Sequence, residues 1–149
     1  MSSDYDAFEF IESPNINDAI LEGYALILEN SNRVKVTLDI EKETSNIKDF
    51  RSLANISFGR ISRLNLDRLE ILKKEIADQI TKSSYSQSEY TPTEKDFNSL
   101  QNELKIDQIN FYLEDFILLF SAKKNFPNST IYIQVNDAFE IENIEVLHQ

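Results

Sequence analysis

The chain has 149 residues and a net charge of −11, from 15 basic and 26 acidic side chains, with one histidine and no cysteine or tryptophan. That length suits a single domain, residues 1–149, and a 41% hydrophobic content with ten Phe and six Tyr is too apolar for a disordered chain. The lack of cysteine excludes disulfides, thiolate nucleophiles and cysteine–zinc sites, and the acid excess argues against nucleic acid or an anionic membrane as a direct partner, because phosphate contacts need Lys and Arg.

The opening MSSDYDAFEFIES has no basic stretch followed by an apolar run, and no segment approaches the roughly 20 apolar residues of a membrane helix. The expected location is the cytoplasm. DAFEFIE (6–12) alternates and predicts a short strand, ended by Ser13-Pro14-Asn15. GYALIL (23–28) and RVKVTLDI (33–40) predict a β-hairpin; Val34, Val36, Leu38 and Ile40 face one way, Lys35, Thr37 and Asp39 the other. The period then changes. SNIKDFRSLANI (45–56) puts Ile47, Phe50, Leu53 and Ala54 on one helical stripe, capped by Ser45 or Asn46 and ended or interrupted at Gly59. NLDRLEILKKEIADQITKS (65–83) predicts a longer helix, capped by Asn65, with Leu66, Leu69, Leu72, Ile76 and Ile80 inward and Glu70–Lys74 paired outside. After the polar loop 83–94, residues 93–105 read as a third helix with a Thr93/Asp96 capping box and a Phe97, Leu100, Leu104 stripe. The period returns to two in DQINFYLE (107–114), DFILLFSA (115–122), TIYIQV (130–135) and FEIENIEVL (139–147), with the continuous apolar run reading as an inner strand. Strands and helices are segregated, so the expected class is α+β: one antiparallel sheet of six or seven strands, ordered β-β-β-α-α-α-β-β-β-β, with helices on one face.

The charge is segregated along the chain. Of the 26 acids, seven lie in residues 1–32 and four in 125–149, with no base in either stretch; the remaining fifteen share residues 33–124 with all fifteen bases. If the first strand and the last hairpin are neighbours, Asp4, Asp6, Glu9, Glu12, Asp137, Glu140, Glu142 and Glu145 form one negative docking surface, with Tyr132, Tyr5 and Tyr24 as aromatic anchors. The plainer reading of the same residues is a solvated sheet face. Other chemistry has little to stand on. His148, the only histidine, is next to last, and no GxSxG accompanies it. Gly23 and Gly59, the only glycines, lie in no phosphate-binding loop. Glu114-Asp115 offers a paired carboxylate or an oxygen-ligand site, but adjacent strand residues face opposite ways, so a solvated turn fits better. Arg60, Arg63, Arg68, Lys73 and Lys74, interleaved with acids, read as a solvated helix face. No cofactor and no metal site is expected.

Three stretches in the second half carry a family resemblance: LKIDQINFYLEDFILLF (104–120), NFPNSTIYIQV (125–135) and NDAFEIENIEVL (136–147). With the hairpin GYALILENSNRVKVTLDIE and the helical segment after it, their order is similar to that of small bacterial cytosolic domains encoded beside polymorphic toxins and treated as immunity proteins in contact-dependent growth inhibition. That family has an LxxDxIxF strand, a second strand, then an F-G-H-x-I-x-V stretch with an acidic tail strand. Here Pro127-Asn128-Ser129 replaces the Gly-His, so no site residue carries over. The resemblance implies a non-enzyme that neutralises a cognate toxin, basic and aimed at nucleic acid, by stoichiometric binding. The alternatives are a small carboxylate-based or metal-dependent enzyme, and a nucleic-acid mimic with carboxylates spaced like phosphates.

Overall fold

A computed structural model describes residues 6–28 and 31–148 of the chain. One sheet organises it. Its strands are β1 (Ile11–Asn17), β2 (Ile20–Ile27), β3 (Asn32–Leu38), β4 (Lys105–Phe111), β5 (Asp115–Ser121), β6 (Ser129–Asn136) and β7 (Ile141–His148), side by side in chain order. Every neighbouring pair is antiparallel except β3 and β4, which are parallel. Between β3 and β4 lie the helices α1 (Arg51–Arg63), α2 (Leu66–Ser84) and α3 (Glu94–Glu103). The fold is therefore α+β, as the segregated periods predict.

Alternation sets which face is covered. Leu21, Ala25, Val34, Val36, Leu38, Ile109, Phe111, Phe116, Leu118, Phe120, Ile131, Ile133 and Val135 are buried and form a single core cluster with Leu53, Leu69, Leu72, Ile76, Ile80 and Leu100 of the helices. The other face of the sheet carries no helix among the described residues. The caps follow the sequence. The Asn46 side chain accepts from Lys48 N, the Asn65 side chain accepts from Arg68 N, and Thr93 N donates to the Asp96 carboxylate.

The structure departs from the sequence reading at several places. Residues 6–8 form a 3-10 turn rather than a strand, and the strand starts at Ile11. It then runs through Ser13-Pro14-Asn15 as a bulge, with Ser13 at φ 53°. Proline is tolerated there because β1 is an edge strand and owes no outward donor. The β1–β2 hairpin turns on Asp18 (φ 51°) and Ala19 (φ 65°), the backbone of a two-residue type I′ turn without its usual glycine. Helix α1 passes through Gly59 to Arg63. On α2, Leu66 is 55% exposed and Ala77 joins the buried stripe instead. Glu70 pairs with Lys73 rather than Lys74.

Continuing α1 past Gly59 puts Arg60 on the buried stripe, one heptad after Leu53. It is 1% exposed, not the solvated side chain the sequence suggests. Its Nε donates to the Asp137 carboxylate at 2.7 Å, Nη1 to the carbonyls of Tyr112 (2.6 Å) and Asp115 (3.1 Å), and Nη2 to that of Leu113 (3.1 Å). Its guanidinium also lies 5.3 Å from the Phe116 ring centroid. A buried charge so fully bonded ties the helix to the β4–β5 loop and the β6–β7 turn.

The two glycines give opposite tests. A Cβ on Gly23 would stand 2.5 Å from Ile11 Cγ2 and 2.7 Å from the Glu12 carbonyl oxygen, where β1 bulges over it; one on Gly59 meets nothing within 4 Å. Gly23→Ala is expected to lose about 1–3 kcal/mol of stability and Gly59→Ala to gain about 0.5–1 kcal/mol, both read from urea denaturation. In the same assay Arg60→Met should lose about 3 kcal/mol or more, because the carbonyls of the β4–β5 loop lose their donors. Arg63→Met, on the exposed side of the same helix, should lose about 1 kcal/mol or less.

Candidate functional site: the acidic sheet edges and the open face

β1 and β7 are the two edges of the sheet. Six inter-strand spacings of about 4.8 Å, roughly 29 Å, lie between them, so the acidic ends do not merge as neighbouring strands. Helix α1 touches both ends. Phe58 packs on Phe10 (centroids 5.6 Å apart), and two residues later Arg60 binds Asp137.

The candidate residues distribute as follows. Asp4 and Tyr5 lie outside the described residues, and Asp6 opens the 3-10 turn. Glu9 follows that turn, at the rim of an apolar cleft with Phe10, Leu26, Phe58 and Ile61. Glu12, Tyr132 and Glu145 share one face. The register pairs Glu12 with Tyr24, Tyr24 with Lys35, Lys35 with Gln108, Gln108 with Leu119, Leu119 with Tyr132 and Tyr132 with Glu145, so a single row crosses all seven strands on the side without helices. Glu12 and Glu145 end that row at opposite edges. A parallel row runs Asn15, Glu22, Thr37, Asn110, Ile117, Gln134, Asn143. Most of this face is amide, hydroxyl and aromatic, with Leu119 9% exposed near its middle.

Charges that are distant in sequence pair in space. Arg33 bonds Glu12 at 2.9 Å and lies 4.0 Å over the Tyr24 ring, Lys35 reaches Glu22 at 3.8 Å, and Arg60 holds Asp137 at 2.7 Å. Arg63 donates to the Asp137 carbonyl at 3.0 Å, and Arg63 and Arg68 lie over Phe139. Asp137 is thus an anchor of the β6–β7 turn, although its carboxylate remains 58% exposed. That turn is closed by Asn136, whose side chain accepts from Ala138 N and Glu140 N. Phe139 sits at φ 60°, where a three-residue hairpin loop usually has glycine. Its ring is 5.3 Å edge-on from Phe116, and this packing holds the strained backbone.

Beyond the turn the acids change character. Glu140, Glu142 and Glu145 are exposed, and among the described residues no Lys or Arg pairs with them. Glu142 is the extra residue of a bulge between the Gln134–Asn143 and Val135–Ile141 pairs. His148 faces Ser129 across the strands, with Nδ1 2.7 Å from Oγ. Among the described residues no carboxylate bonds the other ring nitrogen, so the pair lacks the orienting acid of a triad. It closes the far end of the β6–β7 ladder.

The other carboxylate cluster lies elsewhere. Asp39, Glu41, Glu114 and Asp115 line a recess of about 230 Å³ beside Tyr112. Burial, then the charges of Asp39, Asp115 and Glu41, push the Tyr112 phenol up. Asp115 spends one carboxylate oxygen on the Gln134 amide at 2.7 Å. Among the described residues no three His, Cys, Asp or Glu side chains form a group that could hold a metal ion. Nor is any described helix long and apolar enough to cross a membrane.

Acid content in the sequence points to both chain ends, β7 and its turn included; Arg60, interleaved with acids after a glycine that ends or interrupts the predicted helix, reads there as solvated. The spacing Leu53–Ser57–Arg60–Ile61 is the signal that finds it. Compared with family models, curated proteins and solved structures, the chain matches none.

Proposed function

We propose that this chain is an immunity protein: it binds a cognate basic toxin stoichiometrically, through the acidic margin of its sheet, and keeps the toxin from its nucleic-acid substrate. The observation that carries this reading is the run Glu140, Glu142, Glu145, exposed just before and along the edge strand β7 and, among the described residues, without basic partners. An inhibitor needs no reacting groups. It needs a rigid scaffold and a surface of opposite charge, which raises the association rate and competes with phosphate for a basic cleft. The Arg60–Asp137 bond and the Ser129–His148 contact tie the two ends of the β6–β7 hairpin, which favours such a scaffold. The resemblance of the sequence to small immunity domains points to the same class. Affinity in the nanomolar range is expected of such a pair.

The test is co-expression of the tagged chain with the product of the adjacent upstream gene. A one-to-one complex, together with rescue of growth from that product's toxicity, supports the reading; neither complex nor rescue overturns it. Within a complex, Glu140→Lys, Glu142→Lys and Glu145→Lys together should leave the urea midpoint nearly unchanged while weakening binding roughly hundredfold, mostly through a slower association rate. Unaltered affinity in that variant would remove the β7 margin from the interface.

A further inference from the structure

The two edges of the sheet are not equivalent. β1 carries Pro14, a left-handed Ser13 and a bulge between Glu12 and Asn15, and Glu12 is bridged to Arg33. Each of these devices blunts an edge against pairing with another chain. β7 lacks them over residues 143–148. That stretch contains no proline, keeps a regular register from Gln134–Asn143 to Ser129–His148, and has nothing paired to its outer side among the described residues.

Its two faces differ in chemistry. Ile144, Val146 and His148 face the helices, and with Ile80, Ser83 and Phe126 they line a groove of about 450 Å³ between β7 and the end of α2. Asn143, Glu145 and Leu147 face the open side, where Leu147 is 47% exposed and Glu145 has no cationic partner among the described residues.

We infer that β7 is a strand-addition site, and that its occupant is an extended, basic segment of a partner protein, apolar at every second residue. Such a segment would become the eighth strand. Its backbone would bond the outer edge of 143–148, its apolar residues would fill the groove, and the alternate Lys or Arg residues would meet Glu145. Charge selects this occupant over a second copy of the chain. A β7 paired with another β7 would bring two sets of Glu142 and Glu145 together in a chain of net charge −11, with no base in residues 125–149 to offset them. The partner's class rests on the immunity reading above; the site itself rests on the edge, the groove and the charge.

A synthetic probe separates the two. A labelled nine-residue peptide alternating valine and lysine is titrated against the full chain by fluorescence anisotropy, with amide hydrogen exchange to locate it. The expected result is slowed exchange at 143–148, and binding about tenfold tighter than that of the same peptide methylated on every backbone nitrogen, which keeps the charge but cannot pair. Glu145→Lys should weaken binding about tenfold, and Glu12→Lys, at the other edge, should leave it unchanged. Equal binding of the methylated peptide, protection centred on β1 or the open face, no binding, or β7 already occupied by self-association would each overturn the proposal. Because the peptide is not the toxin, a chain that binds it at β7 but forms no complex with the neighbouring gene product keeps the site and loses the immunity reading. A toxin complex without peptide binding at β7 does the reverse.

Discussion

Arg60 places a full positive charge on the covered side of the sheet, where water is excluded, and much else is arranged around it. Removing a guanidinium from water costs several kcal/mol unless its donors are met. Here Nε, Nη1 and Nη2 find one carboxylate and three carbonyls. Those acceptors come from the β4–β5 loop and the β6–β7 turn, which must therefore adopt shapes that aim oxygens inward. The planar fork suits this in a way an ammonium would not, because its donors point in fixed, divergent directions. The same helix seats Phe58 against Phe10. A single element thus constrains the chain just before the first strand and the turn before the last.

That arrangement changes how the charge pattern reads. Along the sequence, the acids at the two ends look unopposed. In space, Glu12, Glu22 and Asp137 meet Arg33, Lys35 and Arg60, all from the middle of the chain. Among the described residues of those two ends, Glu9, Asp18, Glu140, Glu142 and Glu145 have no basic partner, and the last three follow one another beside and along the edge strand β7. The exposed pairs contribute little stability. Together with the Arg60–Asp137 pair they engage three of the terminal acids, and the longest run left without a base is the one beside and along β7.

Alternation and helical spacing made most of the architecture legible. The outward polar positions of β3 and β6 and, Leu66 apart, the inner stripe of α2 follow directly from residue period, and Asn65 and Thr93 mark helix starts by capping chemistry. What escaped was conformational rather than compositional. Asp18-Ala19 makes a left-handed turn without glycine, so nothing in that tetrad announces a hairpin. Pro14 and Gly59 are breakers by propensity, yet an edge bulge admits the first, and tertiary packing of Leu53, Ser57, Arg60 and Ile61 carries α1 past the second. The acidic ends are visible in composition, but that they fall at the two opposite edges of the sheet depends on strand order, which period alone does not set.

The one parallel junction in the sheet, β3 against β4, joins two meanders: β1–β3 and β4–β7. Within each, neighbouring strands are linked by short connections, so each can assemble from local contacts. The junction needs residues 39–104, helices included, to close as a loop before its first hydrogen bond forms, and the entropy of closure rises with loop length. By contact order, each meander is expected to form faster than the docking of one on the other across this seam. Arg60 belongs to the slow part, since the helix that carries it lies inside the loop and its acceptors lie beyond it. Until the seam closes, the carbonyls of the β4–β5 loop stay hydrated and β3 and β4 are both open edges, so the half-assembled chain presents four edge strands where the finished one presents only β1 and β7.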